Sequence, residues 1–195
     1  GMKMYAARWL SEAAVWCQAN GVLLIVDEIA MGFGRTGRLF AFQHAEIDPD
    51  LVCVGKALTA GALPLSATIA KDALYRRFDD EHTLQHGHTF CGNPIACAAA
   101  LAALDIYDDM DVSQRARELG EGMRADLAPL SGHPRVKELR FLGAIAVVEL
   151  HATAETGPLT LPHRIRLRLQ QEGVLLRPLG PVLYLMPPLI MTPTE

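Results

Sequence analysis

With 195 residues, half of them hydrophobic, the chain has material for one domain or one and a half. A net charge of −4 without a basic cluster argues against a nucleic-acid partner. Four cysteines (Cys17, Cys53, Cys91, Cys97) form no CxxC pair and read as reduced, core-filling thiols of a cytoplasmic protein, with no signal peptide at the start.

Met4 to Asn20 carries apolar residues at helical spacing, and Asn20-Gly21 is a C-cap signal. Val22 to Val26 follows as a continuous apolar strand ending on Asp27-Glu28. Gly32, Gly34 and Gly37 then match G-x-G-x-x-G. The match starts four residues beyond the acidic pair and leads only to a short helix before Asp48-Pro49, so an active-site loop suits it better than a dinucleotide site.

Leu51 to Ala70 holds one charge, Lys56. Leu51 to Val54 is a second apolar strand, and Lys56 comes just past its end, where open α/β sheets place their ligand crevices. Lys56, Pro64 and three hydroxyls argue against a membrane span here. An amine in apolar surroundings loses its charge more easily and becomes a Schiff-base nucleophile; the plainer reading is a lysine that snorkels outward. Two strands buried on both faces predict parallel pairing, which puts Asp27 and Lys56 at one sheet edge. An amine and a carboxylate so placed are what pyridoxal phosphate needs: one to form the imine, one to keep the pyridine nitrogen protonated.

Lys71 to Asp80 reads as a helix with a charged outer face. His82, His86 and His88 lack a further ligand at zinc-site spacing. Thr89, Gly87, Gly92 and the helix start Asn93-Pro94 suit a phosphate better. Ile95 to Ile106 is alanine-rich and apolar nearly all round, which predicts a buried helix. Acidic residues from Asp105 to Asp111 mark a domain boundary. Beyond it, helices are predicted over Ser113–Leu130 and Pro162–Gln171. Strands are predicted over Val136–Leu139, Gly143–Leu150, Val174–Pro178 and Val182–Met186, a small α+β unit. Arg177, alone in its apolar strand, calls for an anion: a substrate carboxylate or a structural acid, unless the strand is an edge with the arm in water.

Four of these motifs, in this order, resemble class III aminotransferases: Val26-Asp27-Glu28, Gly32 to Gly37, Gly55-Lys56-Ala-Leu-Thr59 and His86 to Pro94. The resemblance implies an α/β, fold-type I transferase dependent on pyridoxal 5'-phosphate. Residues 1–108 would be the C-terminal part of its large mixed or parallel-sheet domain, and 109–195 a small, incomplete α+β domain. It casts Lys56 as the catalytic Schiff-base lysine and proton carrier, and Asp27 as the partner of the ring nitrogen. His88 and Thr89 would reach the cofactor phosphate of a neighbouring subunit in a homodimer. Gly87, Arg177 and Tyr184 would contact substrate. Leu65 to Thr68, Leu142 to Glu149 and Arg177 to Pro188 look most like members that move an amino group from S-adenosylmethionine to 8-amino-7-oxononanoate in biotin synthesis. Members acting on ornithine, 4-aminobutyrate or other omega-amines are the near alternative, and an NAD-binding oxidoreductase the distant one. Met31, Ala60 and His88 stand where such members usually have threonine, glycine and proline. The family's N-terminal half and last helix are not in this sequence. The chain thus reads as a fragment, inactive or nearly so alone.

Overall fold

A computed structural model describes residues 2–79, 81–151 and 159–192. Helix α1 (Arg8–Ala19) ends where Asn20 Nδ2 donates to the Trp16 carbonyl at 2.8 Å and Gly21 takes φ +64°. Strand β1 (Ile25–Asp27) is shorter than its apolar run, because the Val22 amide donates back to Cys17. It pairs in parallel with β2 (Leu51–Val54), in the register Ile25 to Leu51, Val26 to Val52 and Asp27 to Cys53.

Strand β3 (Ala67–Ala70), absent from the sequence reading, returns antiparallel to β2 and sets Val54 opposite Ala67. Its signal was the pair Thr68-Ile69, masked by the surrounding small residues. This sheet is not buried on both faces as expected. Val26 and Val54 are buried, but Ile25 is 60% exposed and Ile69 is also exposed, since no described helix covers that side.

The helix expected from Lys71 shrinks to α2 (Asp72–Tyr75); Asp80, its expected end, lies outside the described residues. An exposed charged segment has little packing to sustain it beyond one turn. Helix α3 (Pro94–Asp109) starts as expected: Asn93 Oδ1 accepts from the amides of Ile95 and Ala96, and Pro94 occupies the first turn. It is buried along one stripe only, Ala96, Ala100 and Ala103, while Ile95 is 71% exposed. All-round hydrophobicity misled here, because one helix side has no cover among the described residues.

Helix α4 (Val112–Leu127) is capped by Asp111, whose carboxylate accepts from the Gln114 amide. Strands β4 (Val136–Phe141), β5 (Ala146–Leu150) and β6 (Val182–Leu185) form an antiparallel sheet in that order. Their period of two splits the core. Val148, Leu150 and Leu183 pack on Leu127 of α4 and on Leu161 and Ile165 of α5 (Leu161–Gln171). Ile145, Val147 and Val182 face Met2, Met4, Met31, Tyr184 and Met186. Each such buried aliphatic side chain contributes about 1.5–3 kcal/mol. The strand expected over Val174–Pro178 does not pair. Leu175 is 77% exposed, and only a bridge between Leu179 and Val182 closes the bend at Gly180.

The halves meet at three glycines. A β-carbon on Gly120 of α4 would strike the Gly143 carbonyl, and one on Gly143 would strike the backbone of Thr36 and Gly37. Helix, hairpin turn and glycine loop therefore touch backbone to backbone.

Candidate active site

Parallel pairing of β1 and β2 sends Asp27 and Lys56 to the same sheet edge, and alternation along the chain gives the acidic pair separate roles. Asp27 is exposed at that edge, where its Oδ1 accepts from the Ile29 amide at 2.9 Å. Glu28 turns inward, only 3% exposed, and accepts from the amides of Phe42 at 2.8 Å and Ala41 at 3.0 Å. Its work is structural: it holds the start of the 3-10 turn Ala41–Ala45 and so the far end of the glycine loop.

A cleft of about 1140 Å³ opens beyond this edge. Its wall is built from the glycine loop, the Lys56 turn, the bend 60–66, the segment 88–92, Tyr107 and residues 186–190. Lys56 and His88 line it. Asp27, Gly87, Thr89, Arg177 and Tyr184 are outside the lining. Gly87 and Thr89 flank His88 in an exposed segment, Arg177 is exposed in the unpaired stretch before β6, and Tyr184 packs on the second sheet two residues before the lining Met186.

Lys56 itself has φ +44°, a left-handed conformation that a side chain disfavours. It opens the 3-10 turn Lys56–Thr59, which another left-handed residue, Ala60, closes at φ +51°. Contrary to the apolar enclosure expected for it, Lys56 is exposed, because the cleft is open above the sheet edge.

Near His88 the loop uses its own donors. The amide of His88 goes to Cys91 Sγ, that of Phe90 to His88 Nδ1 and that of Cys91 to the His88 carbonyl. With Asn93 taking the amides of Ile95 and Ala96, the Thr89 hydroxyl and His88 Nε2 are among the groups here that can meet an anion. Among the described residues no three His, Cys, Asp or Glu side chains gather as a metal site, and no helix is long and apolar enough to cross a membrane. All four cysteines are free; none is buried.

Two lining residues escaped the sequence reading. Arg35 donates from Nη1 to the Pro187 carbonyl at 2.6 Å, and burial pushes its guanidinium pKa down. It braces the glycine loop against residues 186–190. Tyr107 of α3 donates to the Ala57 carbonyl at 2.6 Å. The available signals were a cation inside the glycine loop and the one aromatic in an alanine-rich helix. The glycine loop leads, as expected, only to the short 3-10 helix Ala41–Ala45, and a β-carbon on Gly34 would strike Val112 and one on Gly37 would crowd Arg117. Close packing, not a dinucleotide, explains its glycines.

Residues 1–195 match the family Aminotransferase class-III. The chain is 43% identical, over its whole length, to adenosylmethionine-8-amino-7-oxononanoate aminotransferase from Synechococcus elongatus, and covers 46% of that protein. To the enzyme of the same name from Nitratidesulfovibrio vulgaris it is 39% identical and covers 38%. The crystal structure of the Methanocaldococcus jannaschii enzyme of that name superposes with a TM-score of 0.88 at 35% identity, spanning all of this chain and 48% of the other. Ornithine aminotransferase from Toxoplasma gondii, a structure with partial occupancy of PLP at its active site, gives 0.84 at 38% identity, over 94% of this chain and 42% of that one. The chain thus spans less than half the length of these relatives.

Proposed function

The chain belongs to the class-III aminotransferases, and we propose that it forms the lysine-bearing part of a pyridoxal-phosphate-dependent transaminase. One observation carries this reading: Lys56 and Asp27 stand at the carboxyl ends of adjacent parallel strands, at the sheet edge beyond which the Lys56-lined cleft opens. Bound there, pyridoxal phosphate supplies a carbonyl that captures amines and a ring that accepts electrons. Lys56 Nζ is the amine that would hold it and, once freed by the substrate's own amine, the base that carries a proton. The Asp27 carboxylate would keep the ring nitrogen protonated, with the Ile29 amide fixing its orientation. The donors fit the group: an amine, a carboxylate across the strand pair, and a hydroxyl and an imidazole beside each other at positions 88 and 89.

The names of the relatives support S-adenosylmethionine as amino donor and 8-amino-7-oxononanoate as acceptor, hence a step of biotin synthesis. We assign His88 and Thr89 to the cofactor phosphate of the neighbouring subunit of a cytoplasmic homodimer, and Gly87, Arg177 and Tyr184 to substrate. Residues 1–108 would belong to the large domain and 109–195 to the small one. With less than half of a relative's length, the chain alone is expected to be inactive or nearly so. Likeness to an ornithine aminotransferase keeps ornithine and other omega-amines as the second reading. Donor competition in the longer polypeptide carrying this chain separates the two. S-adenosylmethionine should drive transfer to 8-amino-7-oxononanoate, and faster turnover with ornithine or 4-aminobutyrate would overturn the donor assignment.

A further inference from the structure

The turn that presents Lys56 is left-handed at both ends, Lys56 at φ +44° and Ala60 at φ +51°. Its hydrogen bonds are local: the Leu58 amide to the Gly55 carbonyl, the Ala60 amide to the Ala57 carbonyl, the Ala62 amide to the Thr59 carbonyl, and the Thr59 hydroxyl with Leu63. None of these reaches another element. The hydrogen bond that joins the turn to the helix packed on it is the Tyr107 hydroxyl, 50 residues away, donating to the Ala57 carbonyl at 2.6 Å. The Ala57 carbonyl also accepts the Ala60 amide at 2.9 Å, so the hydroxyl bonds to the same oxygen that closes the turn. The Tyr107 ring is fixed in its turn by Phe33 of the glycine loop, with centroids 5.6 Å apart, and Phe33 by Phe40 at 5.5 Å. Tyr107 also lines the cleft.

We propose that Tyr107 is a positioning residue for Lys56: its hydroxyl clamps the strained turn so that the amine enters the cleft from a fixed backbone. This rests on the reading of Lys56 as the cofactor lysine, and adds a residue that acts on it through Ala57. The donor is neutral and the acceptor is backbone, so phenylalanine at 107 keeps the ring packing and loses only the clamp.

The test compares the full chain with its Tyr107→Phe and Tyr107→Ala variants by two readouts. Amide hydrogen exchange over residues 58–60 reports the turn without any cofactor. Pyridoxal phosphate capture under borohydride reports Lys56, with Lys3, Lys71 and Lys137 as internal controls. Loss of one hydrogen bond of ordinary net strength predicts exchange faster by about threefold to tenfold in Tyr107→Phe. Capture at Lys56 should fall at least about threefold on the same grounds, with the three controls and the circular dichroism spectrum unchanged. Unchanged exchange in Tyr107→Phe overturns the clamp. Faster exchange with unchanged capture at Lys56 overturns its bearing on the amine. If neither the unaltered chain nor the longer polypeptide carrying it shows a preference for Lys56, the cofactor reading fails. The exchange data alone then decide whether Tyr107 holds the turn.

Discussion

Lys56 illustrates how a single residue combines local cost and chemical use. Its left-handed backbone costs about 1–2 kcal/mol relative to an ordinary conformation. That cost persists because Gly55 arrives extended from β2 and the chain must turn at once to return as β3. A second residue carries a pH dependence. Glu149 of β5 accepts from Lys137 at 2.6 Å and pairs with Arg140, which together hold its carboxyl pKa down to about 2 against an ordinary 4.5. A carboxylate depressed in the folded state adds stability that is complete above pH 4.5 and is lost as pH falls toward 2. Glu149→Gln should therefore lower the urea midpoint near neutral pH, and the gap to the unaltered chain should close as the pH approaches about 2. A gap that stays constant with pH would remove Glu149 from the acid-sensitive set.

At the level of elements, the site depends on how α4, the β4–β5 turn and the glycine loop meet. Arg117 Nη1 reaches the Gly37 carbonyl at 2.6 Å, and Arg115 Nε reaches the Leu189 carbonyl at 2.9 Å, so α4 grips two walls of the cleft. Gly120 makes that approach possible, whereas Gly122, two residues on, faces open space. Gly120→Ala should cost about 1–3 kcal/mol by overpacking, while Gly122→Ala should stabilise by about 0.5–1 kcal/mol through helix propensity alone. Thermal melts of the two variants check this pair, and equal shifts would mean that α4 does not pack backbone-on-backbone against Gly143. The same elements show what sequence could reveal. Local signals gave β1, β2, the C-cap of α1, the N-cap of α3 and the strands β4, β5 and β6, because turn residues and apolar alternation act over a few positions. Val174–Pro178 failed because an apolar run has no strand partner unless the fold brings one, and β3 went unseen because its small residues look like loop. Tyr107 and Arg35 act across 50 and 152 positions, a reach no local pattern encodes.

For the molecule as a whole, the motifs carried further than the elements. Lys56, singled out by its place past an apolar strand, and His88, named by the family resemblance, line one cleft, and that family matches residues 1–195. Burial was the weakest expectation. Ile25, Ile69, Ile95, Leu101 and the α1 tryptophans Trp9 and Trp16 are exposed, in a chain that spans less than half of its relatives. Apolar exposure on that scale marks surfaces that other protein covers. Whether the cleft nonetheless makes Lys56 distinct is decided by reducing the chain with borohydride in pyridoxal phosphate and mapping the labelled peptides over its four lysines. The account predicts a phosphopyridoxyl group concentrated on Lys56. Equal labelling of Lys3, Lys56, Lys71 and Lys137, repeated in the longer polypeptide, would contradict it.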